Sequence, residues 1–334
     1  MAEFASRLTR RLGHPQPQSR ADARLFAAVD AWVRLKHGRI LRWLRAQEPG
    51  VTRRFSTALP DCINDKFTWR KVFDRDPRHV TLTDKLACKH WVAGLGLPLE
   101  IPPVLWQGTD AAGIPPELLR ERVLVKANHS CGTNLFAGPD GPPRDEVIAR
   151  ANAFLRKGYG RGVGQWGYFN IPRQLFVEPV VGDGAPLTEM KIYTFGRQIE
   201  RLVHIVDRFG DMGADIWEDH GQGLHLSDRL SDITGGNPRL PLPACAAAAL
   251  DVSAEIGAHF DHIRVDLLTD GTRFWLGELT VYNLGGHQGQ FGHDPAHPAS
   301  RAWDLRHTWF CRTPQRGWRE AYRRALLRSL EAAA

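Results

Sequence analysis

Apolar residues recur at helical spacing from Ala21 to Gln47: Leu25, Phe26, Val29, Trp32, Val33, Ile40, Leu41 and Leu44 share one side, and arginines the other. This period of about 3.6 residues predicts an amphipathic helix, interrupted at Gly38 and stopped by Pro49-Gly50. The Pro-, Gln- and Ser-rich residues 15–20 before it read as a loop. Residues 60–100 read as helical and polar, closing at Gly94, Gly96 and Pro98. Short apolar runs then predict strands at Val123–Lys126, Leu175–Glu178, Met190–Phe195 and Arg201–Asp207, the last two joined through Gly196. Helices are predicted at Asp145–Arg156, at the Ala-rich stretch Ala244–His259 and at Trp318–Ala333, and a hairpin at Ile263–Leu268 and Phe274–Val281. Helices and strands mix without regular βαβ alternation, so an α+β fold is expected rather than a doubly wound sheet.

Composition narrows the class. The 334 residues, 43% of them hydrophobic, suffice for two or three units with cores of their own. No run of 18 apolar residues appears, and Met1 to His14 lacks an apolar signal core, so a cytoplasmic location is expected. Cys62, Cys88, Cys131, Cys245 and Cys311 are scattered without metal or disulfide spacing. The net charge is +7, but residues 1–55 hold twelve Lys/Arg and four Asp/Glu, a local +8. The basic character therefore belongs to the N-terminal segment. A solvated helical arm is one reading of it, and peripheral contact with a membrane or an anionic glycan is the other. No nucleic-acid partner is expected.

The hairpin carries the first candidate chemistry. Side chains alternate along strands, so Arg264 and Asp266 share one face, and Leu276, Glu278 and Thr280 share a face of the second strand. Loop parity decides whether the faces coincide. A two-residue Asp270-Gly271 turn separates Asp266 from Glu278; a three- or five-residue loop centred on Gly271 brings them together as diagonal neighbours. Two carboxylates on one face can hold a hard cation that also binds phosphates.

Other pieces suit an anionic ligand. Lys126 ends a strand that enters the small-residue loop His129–Asn134, where backbone N–H groups can approach phosphate oxygens. It is not a P-loop, because the lysine precedes Gly132, nor a dinucleotide fingerprint. Lys85 and Lys89 lie on one helix face, a pattern that usually marks a solvated surface. Glu178 sits on an apolar strand, and Glu189 and Lys191 share a face of a later one.

In their order along the chain, Asn64–Lys71, Asp74–Pro77, Asp84-Lys85, Val125–Gly132, Phe176–Glu178, Met190–Gly196, Arg264–Asp266 and Gly277–Thr280 resemble the ATP-grasp superfamily, and within it the TupA-like branch linked to teichuronopeptide and surface-polysaccharide biosynthesis. The resemblance runs from about Asn64 to Leu284. It implies two α+β subdomains clamping ATP: a basic helical segment at 1–55 replaces the usual nucleotide-fold domain, 56–122 leads in, 123–181 forms a small lid subdomain and 182–334 the large subdomain with the metal site. It implies that Lys85 and Lys126 bind phosphates, and that the loop with His129, Ser130, Gly132 and Thr133 covers them. Glu178, Val180 and Val181 would hold adenine and Glu189 the ribose. Lys191 would face the phosphates, Asp266 and Glu278 would bind Mg2+, and Arg264 would stabilise the charged intermediate. Departures are Thr280, where many superfamily members carry Asn, the loop His-Ser-Cys-Gly, and the run Val281 to Gln288.

The activity so implied is carboxylate–amine ligation through an acyl phosphate, joining a small-molecule, glycan or peptide carboxylate to an amine. Kinase chemistry at the same site, a glycosyltransferase-like role and a non-catalytic polymer-binding module are the rivals.

Overall fold

The computed structural model describes residues 13–47, 56–184, 186–208, 210–219, 223–229 and 236–334. The N-terminal half begins with helices α1 (Arg20–Gln47), α2 (Ile63–Val72), α3 (Arg78–Thr83) and α4 (Lys85–Ala93). Strands β1 (Trp106–Gly108), β2 (Val123–Ala127) and β3 (Asn134–Ala137), helix α5 (Arg144–Arg156) and strand β4 (Leu175–Pro179) follow. Then come β5 (Thr188–Phe195), β6 (Gln198–Val206), β7 (Gly213–Asp219), β8 (Leu224–Leu226), α6 (Ala246–Gly257), β9 (Ile263–Thr269) and β10 (Phe274–Thr280). Helices α7 (Pro298–Ala302), α8 (Trp309–Arg312) and α9 (Trp318–Ala332) close the chain. The expected Pro49-Gly50 stop and the basic residues 1–12 and 48–55 lie outside the described residues.

The strands form two antiparallel sheets, a small one in the order β1-β4-β2-β3 and a large one in the order β10-β9-β5-β6-β7-β8. In the small sheet, alternation sends Val123, Val125, Leu175 and Val177 onto Val147 and Ala151 of α5. In the large sheet, Met190, Ile192, Leu202, Val265 and Leu267 pack on Ala249, Val252 and Ile256 of α6. The intervening residues point the other way. β3 lies where the sequence reads as the end of a loop, because its four residues are too short for a period to register.

Two expectations for the helices need correction. The 60–100 region contains helices, but α2 is not polar-faced: all ten of its residues are buried, four of them charged. Each of two basic residues finds its own compensation. Lys66 donates to the carbonyls of Ser300 and Trp303 (both 2.6 Å), and Arg70 pairs with Asp261 (2.5 Å) and stacks on Trp303. Likewise α1 is no detached arm. It kinks at His37, next to Gly38, and buries Phe26, Val29, Val33, Ile40 and Leu44 in a core shared with α2, Trp303, Phe310 and Tyr322 of α9. Arg24, Arg34, Arg39 and Arg42 lie on its outer side. Among the described residues, no helix is long and apolar enough to cross a membrane.

The hairpin β9–β10 follows neither of the two expected loop solutions. Thr269 pairs with Phe274, so the loop Asp270–Arg273 holds an even four residues. Its tip is stabilised by the Asp270 carboxylate, which accepts from the N–H groups of Thr272 (3.0 Å) and Arg273 (2.8 Å). An even loop with no other irregularity would keep Asp266 and Glu278 on opposite faces. A bulge at Gly277 shifts the register between Leu276 and Glu278, so Asp266 stands directly across from Glu278, and Arg264 across from Thr280. The same bulge separates Leu276, which turns into the core opposite Leu267, from Glu278, which turns toward the other sheet. A Cβ on Gly277 would lie 2.9 Å from the Asp266 carbonyl oxygen, so the close approach needs glycine.

A candidate nucleotide and metal site between the sheets

The large sheet turns two adjacent rows of side chains away from α6. One row runs Glu278, Asp266, Lys191 across β10, β9 and β5; the next runs Thr280, Arg264, Tyr193. Arg264 grips Asp266 with two hydrogen bonds (Nε and Nη2, both 2.6 Å) and donates to Thr280 Oγ1 (3.1 Å). Lys191 Nζ donates to Asp266 (3.1 Å) and lies 3.0 Å from Glu189, which also accepts from Arg208 (2.5 Å). Burial alone would push the Asp266 carboxyl up, but Arg264 and Lys191 outweigh it and hold it below its ordinary range. Burial would lower the Lys191 amine, yet Asp266 reverses that and raises it. The pair is thus fully ionised and mutually held.

Glu278 is different. Its side chain is 34% exposed against 7% for Asp266, with Arg264 and Lys85 each 4.0 Å away. Thr280 Oγ1 lies 3.3 Å from it. Three oxygen-bearing side chains therefore converge, and the accessible one is Glu278. Hard oxygen donors of this kind suit Mg2+. The fit is closest at Glu278, because both oxygens of Asp266 already accept from cations.

On the facing sheet, Lys126 donates to Glu178, and Lys89 Nζ reaches the other oxygen of the same carboxylate at 2.9 Å. Burial pushes the Glu178 carboxyl up, but Lys126 and Lys89 override it and keep it low. Lys89 donates also to the Pro102 carbonyl (2.7 Å) and is buried; burial lowers its amine, and Glu178 offsets part of that. Lys85 spans the gap between the sheets: its Nζ donates to the Ser130 carbonyl (2.5 Å) and points at Glu278. Asp84 fixes it there by capping α4 through Leu86 and Ala87 and by accepting from Asn128 (3.0 Å).

The β2–β3 loop is tied down from within. Ser130 and Thr133 share a hydroxyl hydrogen bond (3.0 Å), and His129 Nε2 meets the Lys157 carbonyl (3.1 Å). Only its tip, Cys131-Gly132, is exposed, with Gly132 at φ +68°. Val180 N–H donates to the Arg122 carbonyl (3.0 Å), so that group is already committed, and Val181 follows it half-buried. Lys85, Lys126, Glu178, Lys191, Arg264, Asp266 and Glu278 thus converge on the space between the sheets, joined by Lys89 and Thr280. Lys89 is the residue whose sequence pattern points wrongly to a solvated face. Its spacing of four from Lys85 is the signal that could have found it, and β4 above α4 is what buries it.

Two antiparallel sheets facing each other across a cation-lined cleft, with acids on the larger, define an ATP-grasp protein. The particular group follows from the sequence: the model of the TupA-like ATP-grasp family matches residues 65–294, and the chain belongs to that family. No curated protein matches it. Among solved structures it is remotely similar to the D-alanine–D-alanine ligase of Bacillus anthracis complexed with ATP, at 14% identity and TM-score 0.35, covering 60% of this chain and 53% of that one. The ATP-grasp ligase PsnB complexed with a minimal precursor gives 12% identity and TM-score 0.39, covering 68% and 61%. The ADP complex of purK, N5-carboxyaminoimidazole ribonucleotide synthetase, gives 10% and 0.39, covering 74% and 52%. The chain thus spans between about half and three fifths of these proteins' lengths.

Proposed function

We propose that the protein is an ATP- and Mg2+-dependent carboxylate–amine ligase acting on a glycan, peptide or small-molecule acid. The observation that carries this reading is the bulge-set pairing of Glu278 with Asp266 beside Lys191 and Arg264, opposite Lys85 and Lys126. Mg2+, when bound, would supply charge neutralisation on the phosphates. Glu278, with Asp266 and Thr280 beside it, would hold the ion.

The chain's own residues would do the rest. Lys85, bridging both sheets, and Lys126 would hold phosphate oxygens. Glu178, kept ionised by two lysines, would accept from the adenine amino group. Arg264 would face the oxyanion that develops as an acid oxygen attacks the terminal phosphorus, giving an acyl phosphate and ADP. An amine would then attack the acyl carbon; phosphate leaves with the bonding electrons, the amine proton passes to solvent, and an amide remains. Surface-polysaccharide assembly is the setting that family membership favours, in a compartment that supplies ATP.

The test is ADP release with uronic-acid and peptide acids offered with amino acids as amines. Glu278→Gln and Asp266→Asn should each lose on the order of 10²–10³ in rate. The half-exposed Glu278→Gln should retain the wild-type melting profile, whereas Asp266→Asn should also melt lower, because it leaves buried Arg264 and Lys191 without their acid. Full activity in either variant refutes the metal assignment. Free phosphate and amide released one-for-one with ADP mark ligation; ADP without phosphate marks phosphoryl transfer instead.

A further inference from the structure

The ligase reading leaves a buried amine without a task. Lys71 is the last lysine of α2 and is only 1% exposed. Its Nζ has no hydrogen-bond partner and, among the described residues, no ion pair. The ammonium sits 4.6 Å from the ring centre of Trp43, which belongs to α1 and is half-buried. Burial pushes the amine down to about 7, and no neighbouring acid opposes the shift.

The chain above Lys71 is shaped around it. Leu284, Gly285 and Gly286 all take left-handed φ values of 48°, 72° and 80°. A Cβ on Gly286 would stand 2.7 Å from Lys71 Cε and 3.0 Å from its Nζ. On Gly285 it would stand 3.1 Å from the Trp43 ring and 3.2 Å from Gln165 Nε2. Glycine at both positions therefore lets the turn close directly onto the amine and Trp43, where any side chain would collide with them. Packing alone does not call for a lysine here: methionine fills the same volume with no charge to desolvate. An enclosed amine with no acid in reach is matched to a ligand that brings the negative charge once the glycine turn above it yields.

Segments packed on Lys71 lead back toward the proposed nucleotide cleft. Gly285 and Gly286 belong to the segment that leaves β10 just after Thr280. The stretch 159–168 links the two places on the other side: its Gly164 lies against the stem of Lys71, where an added Cβ would stand 3.8 Å from Lys71 Cβ. Its Tyr159 and Tyr168 lie near Glu278, whose charge adds to burial in raising their hydroxyls.

We propose that Lys71, under Gly285-Gly286 and Trp43, binds a second anionic group on the acceptor, a carboxylate or a phosphate, so that the acid ligated at Glu278 and Arg264 is at least doubly anionic. The acceptor's identity as a ligase substrate rests on the function proposed above; the anion site itself does not. Lys71 is a specificity-determining residue in this scheme and takes no part in bond making.

The test uses the full chain labelled with ¹³C and ¹⁵N lysine, with Lys71 assigned as the side-chain amine signal missing from Lys71→Met. Its pH titration is followed alone, with inorganic phosphate and with succinate. The expected result is titration near neutrality in the free protein and an upward, saturable move of at least one pH unit with a probe. A response to only one probe identifies the anion type. A signal that titrates like an exposed lysine, or that ignores both probes, overturns the proposal. In turnover, Lys71→Met should raise KM for a doubly anionic acid tenfold or more and leave KM for ATP unchanged. An equal KM for singly and doubly anionic acids in the wild-type protein also overturns it. Because the titration needs neither ATP nor turnover, failure of every acid to yield ADP would count against the ligase reading alone.

Discussion

At the scale of single residues, the protein is unusual in how many charges it buries and in how differently it settles each. Asp266 is compensated twice over by Arg264 and Lys191, and Glu178 by Lys126 and Lys89. Lys71 has no such acid beside it, so it should cost stability. Its amine titrates near 7 when folded and near 10.5 when unfolded. Between those values the unfolded chain binds more protons, so this group makes stability rise with pH, with the full cost felt below pH 7. Lys71→Met should therefore stabilise the protein by about 2–5 kcal/mol at pH 6.5, and much less at pH 9.5, in urea unfolding. A variant no more stable than wild type at pH 6.5 would show that the amine is solvated. Residue types and order make Lys85, Lys126, Glu178, Lys191, Arg264, Asp266 and Glu278 legible as candidates. Lys89 reads as surface, because helical spacing says which residues share a face and not what covers it.

At the scale of elements, the sequence pattern locates β2, β4, β5, β6, β9, β10, α5, α6 and α9 to within a few residues. It does so because each presents enough turns or alternations for its period to register. It misses β1, β3 and β8, three or four residues long, for lack of that length, and it also misses the seven-residue β7, whose Gly-Ala-Asp-Ile-Trp-Glu-Asp run shows no clean alternation. The hairpin is more instructive. Shared-face acids call for an odd loop, the loop is even, and the bulge at Gly277 restores the alignment. Gly277→Ala places a methyl against unyielding backbone, 2.9 Å from the Asp266 carbonyl oxygen. We expect a loss of about 1–3 kcal/mol in stability from the crowding. ADP release should fall on the order of 10²-fold, since small misplacements at a reacting centre are that costly. Wild-type ADP release by Gly277→Ala would mean that the bulge does not set the site.

At the scale of the whole molecule, the site exists only because two sheets with separate cores meet. The helices α1, α2 and α9 form a third core beside them, which makes the basic N-terminal helix part of the fold, with its arginines outward. A nucleotide held by Lys126 on one sheet and by Glu278 and Lys85 at the other should tie the sheets together. ATP with Mg2+ should then raise the melting temperature by mass action, by about 2.7 kcal/mol of added stability at a hundredfold excess over Kd. EDTA should abolish most of that gain. An equal shift with ATP and EDTA would remove Mg2+ from the site, and no shift at all would remove the nucleotide.

The amino-acid sequence by itself determined the class of this protein. Residue types in a fixed order are local information, and the acids, lysines and glycine loop of an ATP-grasp chain are written in it one after another. Amphipathic periods likewise determined most helices and strands, because each follows from neighbours a few positions apart. Only the tertiary structure decided which charges are buried, since burial depends on elements distant in the chain: β4 over Lys89, and the Gly285-Gly286 turn with Trp43 over Lys71. It alone decided that Asp266 faces Glu278, because an inserted residue in one strand changes register without changing composition. Asp266 and Glu278 stand in plain view along the chain; the bulge that aligns them, and the uncompensated lysine beyond them, exist only in the folded protein.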